Sequence, residues 1–133
     1  MSIHQEAIIE AAPGEVYAVL TDGDKFAGAT GMPARIGAGE GETFTLFGGR
    51  VEGRLVELVP GERVVQAWRF ADEHPEPWDP GVYSIVRFSL APEAGGTRFV
   101  IDHEAIPAAA EERIEVGYPT FYRDPLVRYF ASA

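Results

Sequence analysis

TFTLFGGRVEGRLVELVPGERVVQAWRF, residues 43–70, is the stretch that decides the fold. Thr43–Phe47 has the composition of a strand, Gly48-Gly49 predicts a two-residue hairpin turn, and Arg50–Val59 predicts the returning strand. Pro60-Gly61-Glu62 then turns the chain into Arg63–Phe70. There Val64, Gln66, Trp68 and Phe70 alternate with Arg63, Val65, Ala67 and Arg69. Alternation with a period of two places one set on a buried face and the other on the opposite face. Connections this short can join only antiparallel neighbours.

The same grammar continues toward the C-terminus. A loop from Asp72 to Pro80, dense in acid and proline, holds Trp78 among Asp72, Glu73, Glu76 and Asp79. Val82–Leu90 predicts a strand, Glu93–Gly96 a turn, and Thr97–Ile106 the last strand. After Pro107 the period changes. Ile114, Tyr118, Phe121, Tyr122, Pro125, Tyr129 and Phe130 recur at spacings of three and four, an aromatic helical stripe. Pro119 and Pro125 each remove a helix hydrogen bond and crowd the carbonyl four residues back, so a kinked or two-piece helix is expected. Toward the N-terminus, Ile3, Gln5, Ala7, Ile9 and Ala11 share one strand face. Pro13 opens a short helix with Val16, Tyr17 and Leu20 on one side. A second helical turn is expected over Asp24–Ala29 and a short strand at Ala34–Ile36. The fold class is α+β: a curved antiparallel sheet of about six strands wrapped on a long C-terminal helix, with one or two short helices after strand 1. No repeat and no domain boundary interrupts residues 1–133, so one domain is expected.

The 133 residues carry 11 basic and 21 acidic side chains, a formal charge of −10. Such a chain repels phosphate backbones and anionic lipid surfaces, which argues against nucleic-acid and membrane partners. No apolar run approaches the roughly 18 residues needed to cross a bilayer. With no Cys, disulfides and thiolate chemistry are excluded. A soluble cytoplasmic domain is the expectation.

Three motifs in order carry a family resemblance. Gly48-Gly49-Arg50-Val51-Glu52-Gly53-Arg54-Leu55-Val56-Glu57-Leu58-Val59-Pro60 followed by Val64-Val65-Gln66-Ala67-Trp68-Arg69 resembles the central motif of the Aha1-like family, bacterial homologues of the C-terminal domain of the Hsp90 ATPase activator. Asp102-His103-Glu104-Ala105-Ile106-Pro107 is similar to the family's H-x-G-V-P strand end, with Ala105 where Gly is usual. Gly117-Tyr118-Pro119-Thr120-Phe121-Tyr122-Arg123-Asp124-Pro125-Leu126 is similar to its G-W-x-x-F-Y-x-x-P-L helix signature, with Tyr118 in place of Trp and Pro119 a departure. The family belongs to the Bet v 1/START-like (SRPBCC) group, so the resemblance implies a helix-grip fold with a hydrophobic cavity and a stress-response setting. The eukaryotic activator's separate N-terminal domain, which carries most of its Hsp90 contact, is not expected among these residues. An Hsp90-type chaperone is a partner by family analogy only.

The inward faces make an apolar wall of Val64, Trp68, Phe70, Val86, Phe88, Phe99 and Ile101, with Gln66, Ser84 and His103 as its polar points. Apolar walls with a few polar groups are what a small-molecule pocket needs. The alternative is a filled core whose polar groups bond to neighbours. The candidate ligand-binding residues are Gln66, Trp68, Phe70, Ser84, Phe88, His103, Phe121 and Tyr122, with Phe26, Met32 and Trp78 near the mouth. The ligand expected is a small hydrophobic or aromatic molecule, and a homodimer is left open. His103 lies between Asp102 and Glu104, but neighbours in a strand point to opposite faces, so neither acid orients it. It is the one candidate general base of a cyclase- or hydratase-type enzyme, set against the favoured reading of a non-enzymatic binding domain. Asp22-Gly23-Asp24 lacks the later ligands of a calcium loop, and His4, His74 and His103 lack zinc spacing, so no metal and no cofactor is implied. Arg50, Arg54, Arg63, Arg69, Arg87 and Arg98 read as an outer face paired with Glu52, Asp102 and Glu104. Trp78 either lids a pocket, meets a partner, or caps the core.

Overall fold

A computed structural model describes residues 2–71 and 78–131. The acidic part of the loop expected around Trp78, with Asp72, Glu73, His74 and Glu76, lies outside the described residues. Seven strands form one antiparallel sheet in the order β1-β7-β6-β5-β4-β3-β2. They are β1 (Ile3–Ile9), β2 (Arg35–Ile36), β3 (Thr43–Leu46), β4 (Val51–Val59), β5 (Arg63–Phe70), β6 (Ser84–Glu93) and β7 (Gly96–Glu104). The two-residue β2 raises the expected count of about six to seven. Helices α1 (Pro13–Thr21) and α2 (Gly23–Thr30) follow β1. Asp22 both ends α1 and caps α2, accepting from the Lys25 N–H at 3.1 Å, which is why the calcium-like triplet is a helix cap.

Two positions bend the sheet. Between Leu55 and Glu57 the β4–β5 register shifts by one residue, a bulge at Val56 that increases local twist. At Gly53 a Cβ would stand 1.9 Å from the Ala67 carbonyl oxygen and 2.6 Å from the Phe44 ring, so only glycine lets these strands and that ring approach so closely.

Three connections differ from expectation. Leu46 pairs with Val51, so four residues, 47–50, join β3 to β4 rather than Gly48-Gly49 alone. Phe47 itself takes φ 55°, a left-handed conformation uncommon for an aromatic residue. Its ring packs on Phe26, Phe121 and Tyr122 with centroids 5.6, 5.3 and 5.4 Å away, and this burial outweighs the local cost. The β6–β7 turn is Ala94-Gly95, with φ 49° and 81°, tighter than Glu93–Gly96. Ala105, where the family motif has Gly, adopts φ 59°, so alanine there carries backbone strain that glycine avoids.

The C-terminal helix is in two α-helical pieces, α3 (Ala108–Tyr118) and α4 (Asp124–Ala131), joined by a π-helical turn over Pro119–Arg123. In that turn the Asp124 N–H reaches back five residues to the Pro119 carbonyl. Pro119 has no N–H for the Glu115 carbonyl; the Gln5 side-chain amide of β1 donates to that oxygen instead, at 3.0 Å. Ile114, Tyr118, Tyr122 and Leu126 are buried against the sheet. On the sheet's inner face Val64, Gln66, Trp68, Ser84, Val86, Phe88, Phe99, Ile101 and His103 are all buried, as alternation required.

The opposite face carries ion pairs, with corrections. Arg63 donates to Glu57 at 2.6 Å and Arg98 to Glu6 at 2.9 Å, while Asp102 meets His4 Nδ1 at 2.5 Å rather than an arginine. Arg69 is not on a solvated face. It is 3 % exposed, bonds to the Phe70, Trp78 and Asp79 carbonyls, and lies 3.7 Å from Glu52. Trp78 caps the core: its ring packs on Trp68 and Phe70, and its N–H donates to the Val82 carbonyl at 2.7 Å. Among the described residues no helix is long and apolar enough to cross a membrane, and no three His, Asp or Glu converge as metal ligands.

Candidate functional site

One end of the space between sheet and helix is open. A cleft of about 770 Å³ lies between the 47–50 loop, the end of β5 and the stretch from Arg113 to Tyr122. Each wall has a local origin. The loop is held by Gly48 N–H to the Pro33 carbonyl (2.9 Å) and by Ala71 N–H to the Arg50 carbonyl (2.9 Å). The floor is Trp68 and Phe70, inward residues of β5. The helical wall presents Ile114, Tyr118, Phe121 and Tyr122, the expected stripe, with Gly117 lacking a side chain among them. A cleft of this size falls within the range of small-molecule sites.

Four of the expected ligand-binding residues, Trp68, Phe70, Phe121 and Tyr122, come together there. The others do not line it. Phe26 and Phe88 are packed in the core, Ser84 and His103 are buried deeper under the sheet, and Trp78 packs on the floor residues from outside the cleft. Gln66 is buried with its carbonyl oxygen unpartnered, and Met32 packs at the core's edge. Sequence reading missed Phe47 and Gly117 as wall residues, and assigned Arg50 to an outer face although it lines the cleft. The available signals were Phe47 next to Gly-Gly and a lone glycine inside the aromatic stripe.

Beneath the cleft runs a hydrogen-bonded chain. The Ser84 hydroxyl donates to the Trp68 carbonyl at 2.7 Å, so its oxygen accepts from His103 Nε2–H at 2.6 Å. His103 Nδ1 is then the acceptor for the Tyr118 hydroxyl at 2.5 Å. Burial lowers the His103 pKa to about 3, consistent with a neutral imidazole using both nitrogens. Burial, with Tyr122 adding to it, raises that of Tyr118. A base with so low a pKa is weak near neutral pH, and Tyr118 stands between His103 and the cleft. The arrangement therefore orients Tyr118 rather than offering a base to a bound molecule.

Two polar atoms of cleft residues differ from this satisfied chain. Trp68 Nε1 and the Tyr122 hydroxyl are both buried without a hydrogen-bond partner. The Tyr122 pKa is raised by burial, opposed by the nearby Trp68 N–H. Leaving such groups unpaired costs about 1–3 kcal/mol each, and the closeness of the Trp68 N–H to the Tyr122 hydroxyl offsets part of that cost.

A seven-stranded antiparallel sheet folded over a C-terminal helix, with a cavity between them, defines the helix-grip class of Bet v 1/START-like domains. Within it, the chain belongs to the family described as activator of Hsp90 ATPase homolog 1-like protein, whose sequence model matches residues 10–131. It is 29% identical over 119 residues to the human activator of 90 kDa heat shock protein ATPase homolog 1, covering 90% of this chain. It spans 34% of that relative's length. A solved Hsp90 activator from Plasmodium falciparum superposes with a TM-score of 0.88 at 21% identity, covering 98% of this chain and 96% of its own. The Aha1 dimer from Colwellia psychrerythraea, solved in solution, gives a TM-score of 0.75 at 21% identity, covering 95% and 93%. At that identity the two structures speak to the fold alone.

Proposed function

We propose that residues 1–133 act as one binding domain for a small apolar or aromatic molecule, held between the 47–50 loop, the end of β5 and α3. The observation that carries this is the aromatic cleft of about 770 Å³, lined by Phe47, Trp68, Phe70, Tyr118, Phe121 and Tyr122. Aromatic walls supply affinity for an apolar or aromatic body. Catalysis is not part of the proposal, because the His103 imidazole is spent on Ser84 and Tyr118.

The test is a fluorescence titration with the neutral probe N-phenylnaphthylamine on the wild type and on Gly117→Leu, which fills the helical wall. Saturable one-to-one binding that is lost in the variant is expected. Absence of saturable binding to the wild type overturns the proposal. Native mass spectrometry of protein purified without detergent would add the mass of any retained ligand and the oligomeric state.

Family membership favours a second reading, contact with an Hsp90-type chaperone, since the human relative is named for that activity. Saturating protein should then change the turnover of an Hsp90-type ATPase, and an unchanged rate removes this reading. A homodimer fits the same family, as the Colwellia protein was solved as one.

A further inference from the structure

The loop wall and the helix wall of the cleft touch at one place and go bare beside it. Phe47 of the 47–50 loop and Phe121 of the helix both line the cleft, and their ring centroids lie 5.3 Å apart. On the loop, Gly48 and Gly49 follow Phe47; on the helix, Gly117 stands one turn before Phe121. All three glycines are at least partly open to solvent. Beside the Phe47–Phe121 contact, each wall therefore presents backbone to the cleft.

Backbone geometry accounts for two of the three. Gly48 and Gly49 have φ of 70° and 92°, a left-handed conformation that glycine adopts without strain. Gly117 is different. It lies inside α3, where glycine is a poor helix residue. Packing does not require it to be small, since a Cβ there would meet only the Phe121 ring, at an ordinary contact distance of 3.4 Å. The π-helical turn does not require it either, because its hydrogen bond joins Asp124 to Pro119. Gly14 and Gly28 are also helical glycines with room around them, but neither lines the cleft. At Gly117, the space a side chain would take belongs to the cleft.

Resting on the ligand-site reading above, we infer that Gly117 is a specificity-determining residue of the cleft: it admits a planar aromatic body face-on to the helix backbone and disfavours a globular aliphatic one of equal size. The gap left by one missing Cβ is shallow, so what enters it must be thin. A flat ring lies directly on the bare peptide groups at Gly117, the kind of close backbone approach for which glycine is the default residue. Dispersion contacts weaken steeply with separation, so a globular body held off the backbone by its own thickness forfeits many of them.

Two alcohols with the same carbon count separate this from the parent reading: flat 2-naphthol and globular 1-adamantanol, each titrated into the full chain and followed by amide NMR. The wild type should bind 2-naphthol about tenfold tighter, with shifts that include the Gly117 amide. Gly117→Ala adds the single Cβ. It should weaken 2-naphthol about tenfold and leave 1-adamantanol within about twofold. Its urea midpoint should not fall below that of the wild type, since alanine is the better helix residue. Should the variant not fold, the wild-type ratio of the two alcohols and the Gly117 shift decide alone. If 1-adamantanol binds as tightly as 2-naphthol, or if Gly117→Ala spares 2-naphthol or weakens both alike, the inference falls and the ligand site stands. If N-phenylnaphthylamine saturates and neither alcohol does, the inference again falls alone. If no probe saturates, both readings fall.

Discussion

The space between sheet and C-terminal helix is finished differently at its two ends. On the β6–β7 side, Phe88 and Phe99 stack nearly parallel at 5.7 Å, and both are fully buried. At the end bounded by the 47–50 loop, a volume of about 770 Å³ stays open, and two cleft residues hold unpaired polar atoms. Both ends are built from aromatic residues of the same strands and helix. Composition therefore does not separate core from cleft; where the helix and the 47–50 loop cross the sheet does.

The largest expected difference between the ends is in packing. Phe88→Ala, which hollows the filled end, should cost about 3–5 kcal/mol in urea unfolding. Phe121→Ala, on the rim of the open end and only half-buried, should cost about 1 kcal/mol. Equal losses would erase the distinction. The second effect is electrostatic and belongs to the hydrogen-bonded chain beneath the cleft. The folded His103 pKa is about 3, below the ordinary value near 6.5, so the unfolded chain binds a proton that the folded one refuses. Stability from this residue is complete above pH 6.5 and declines as pH falls toward 3, by about 1.4 kcal/mol between pH 7.5 and 5.5. His103→Gln should remove that component of the pH slope; a slope equal to the wild type's would show that the imidazole takes up a proton in the folded state. The smallest effect sharpens the other side. A Cβ on Gly117 would meet nothing closer than the Phe121 ring at 3.4 Å. Gly117→Leu should raise stability by up to about 1 kcal/mol through helix propensity while removing probe binding. A loss of stability instead would show this end to be as full as the other.

The inner faces of β5, β6 and β7 were legible in the sequence because strand alternation has an invariant period. The helix stripe was legible for the same kind of reason. What alternation cannot give is depth. Trp68 and His103 share a face, but which of them reaches an opening depends on where the helix and the 47–50 loop cross the sheet. The outward assignment of Arg69 failed on a similar point: the chain at Trp78 and Asp79 wraps round the end of β5 and supplies carbonyls to the guanidinium. The hairpin failed because Phe47's ring contacts, all distant in sequence, set its own backbone conformation.

The π-helical turn has a consequence for helix phase. Ile114, Tyr118, Tyr122 and Leu126 follow one another at intervals of four and are all buried. In an unbroken α-helix such a series precesses by about 40° per step, which would swing Leu126 well off the line of Ile114. The wider turn advances less per residue and takes back much of that rotation. Residues 119–123 thus accommodate a one-residue insertion without rotating α4. Excision of one residue there, returning the segment to α geometry, would shorten the chain and still present Leu126 to the sheet.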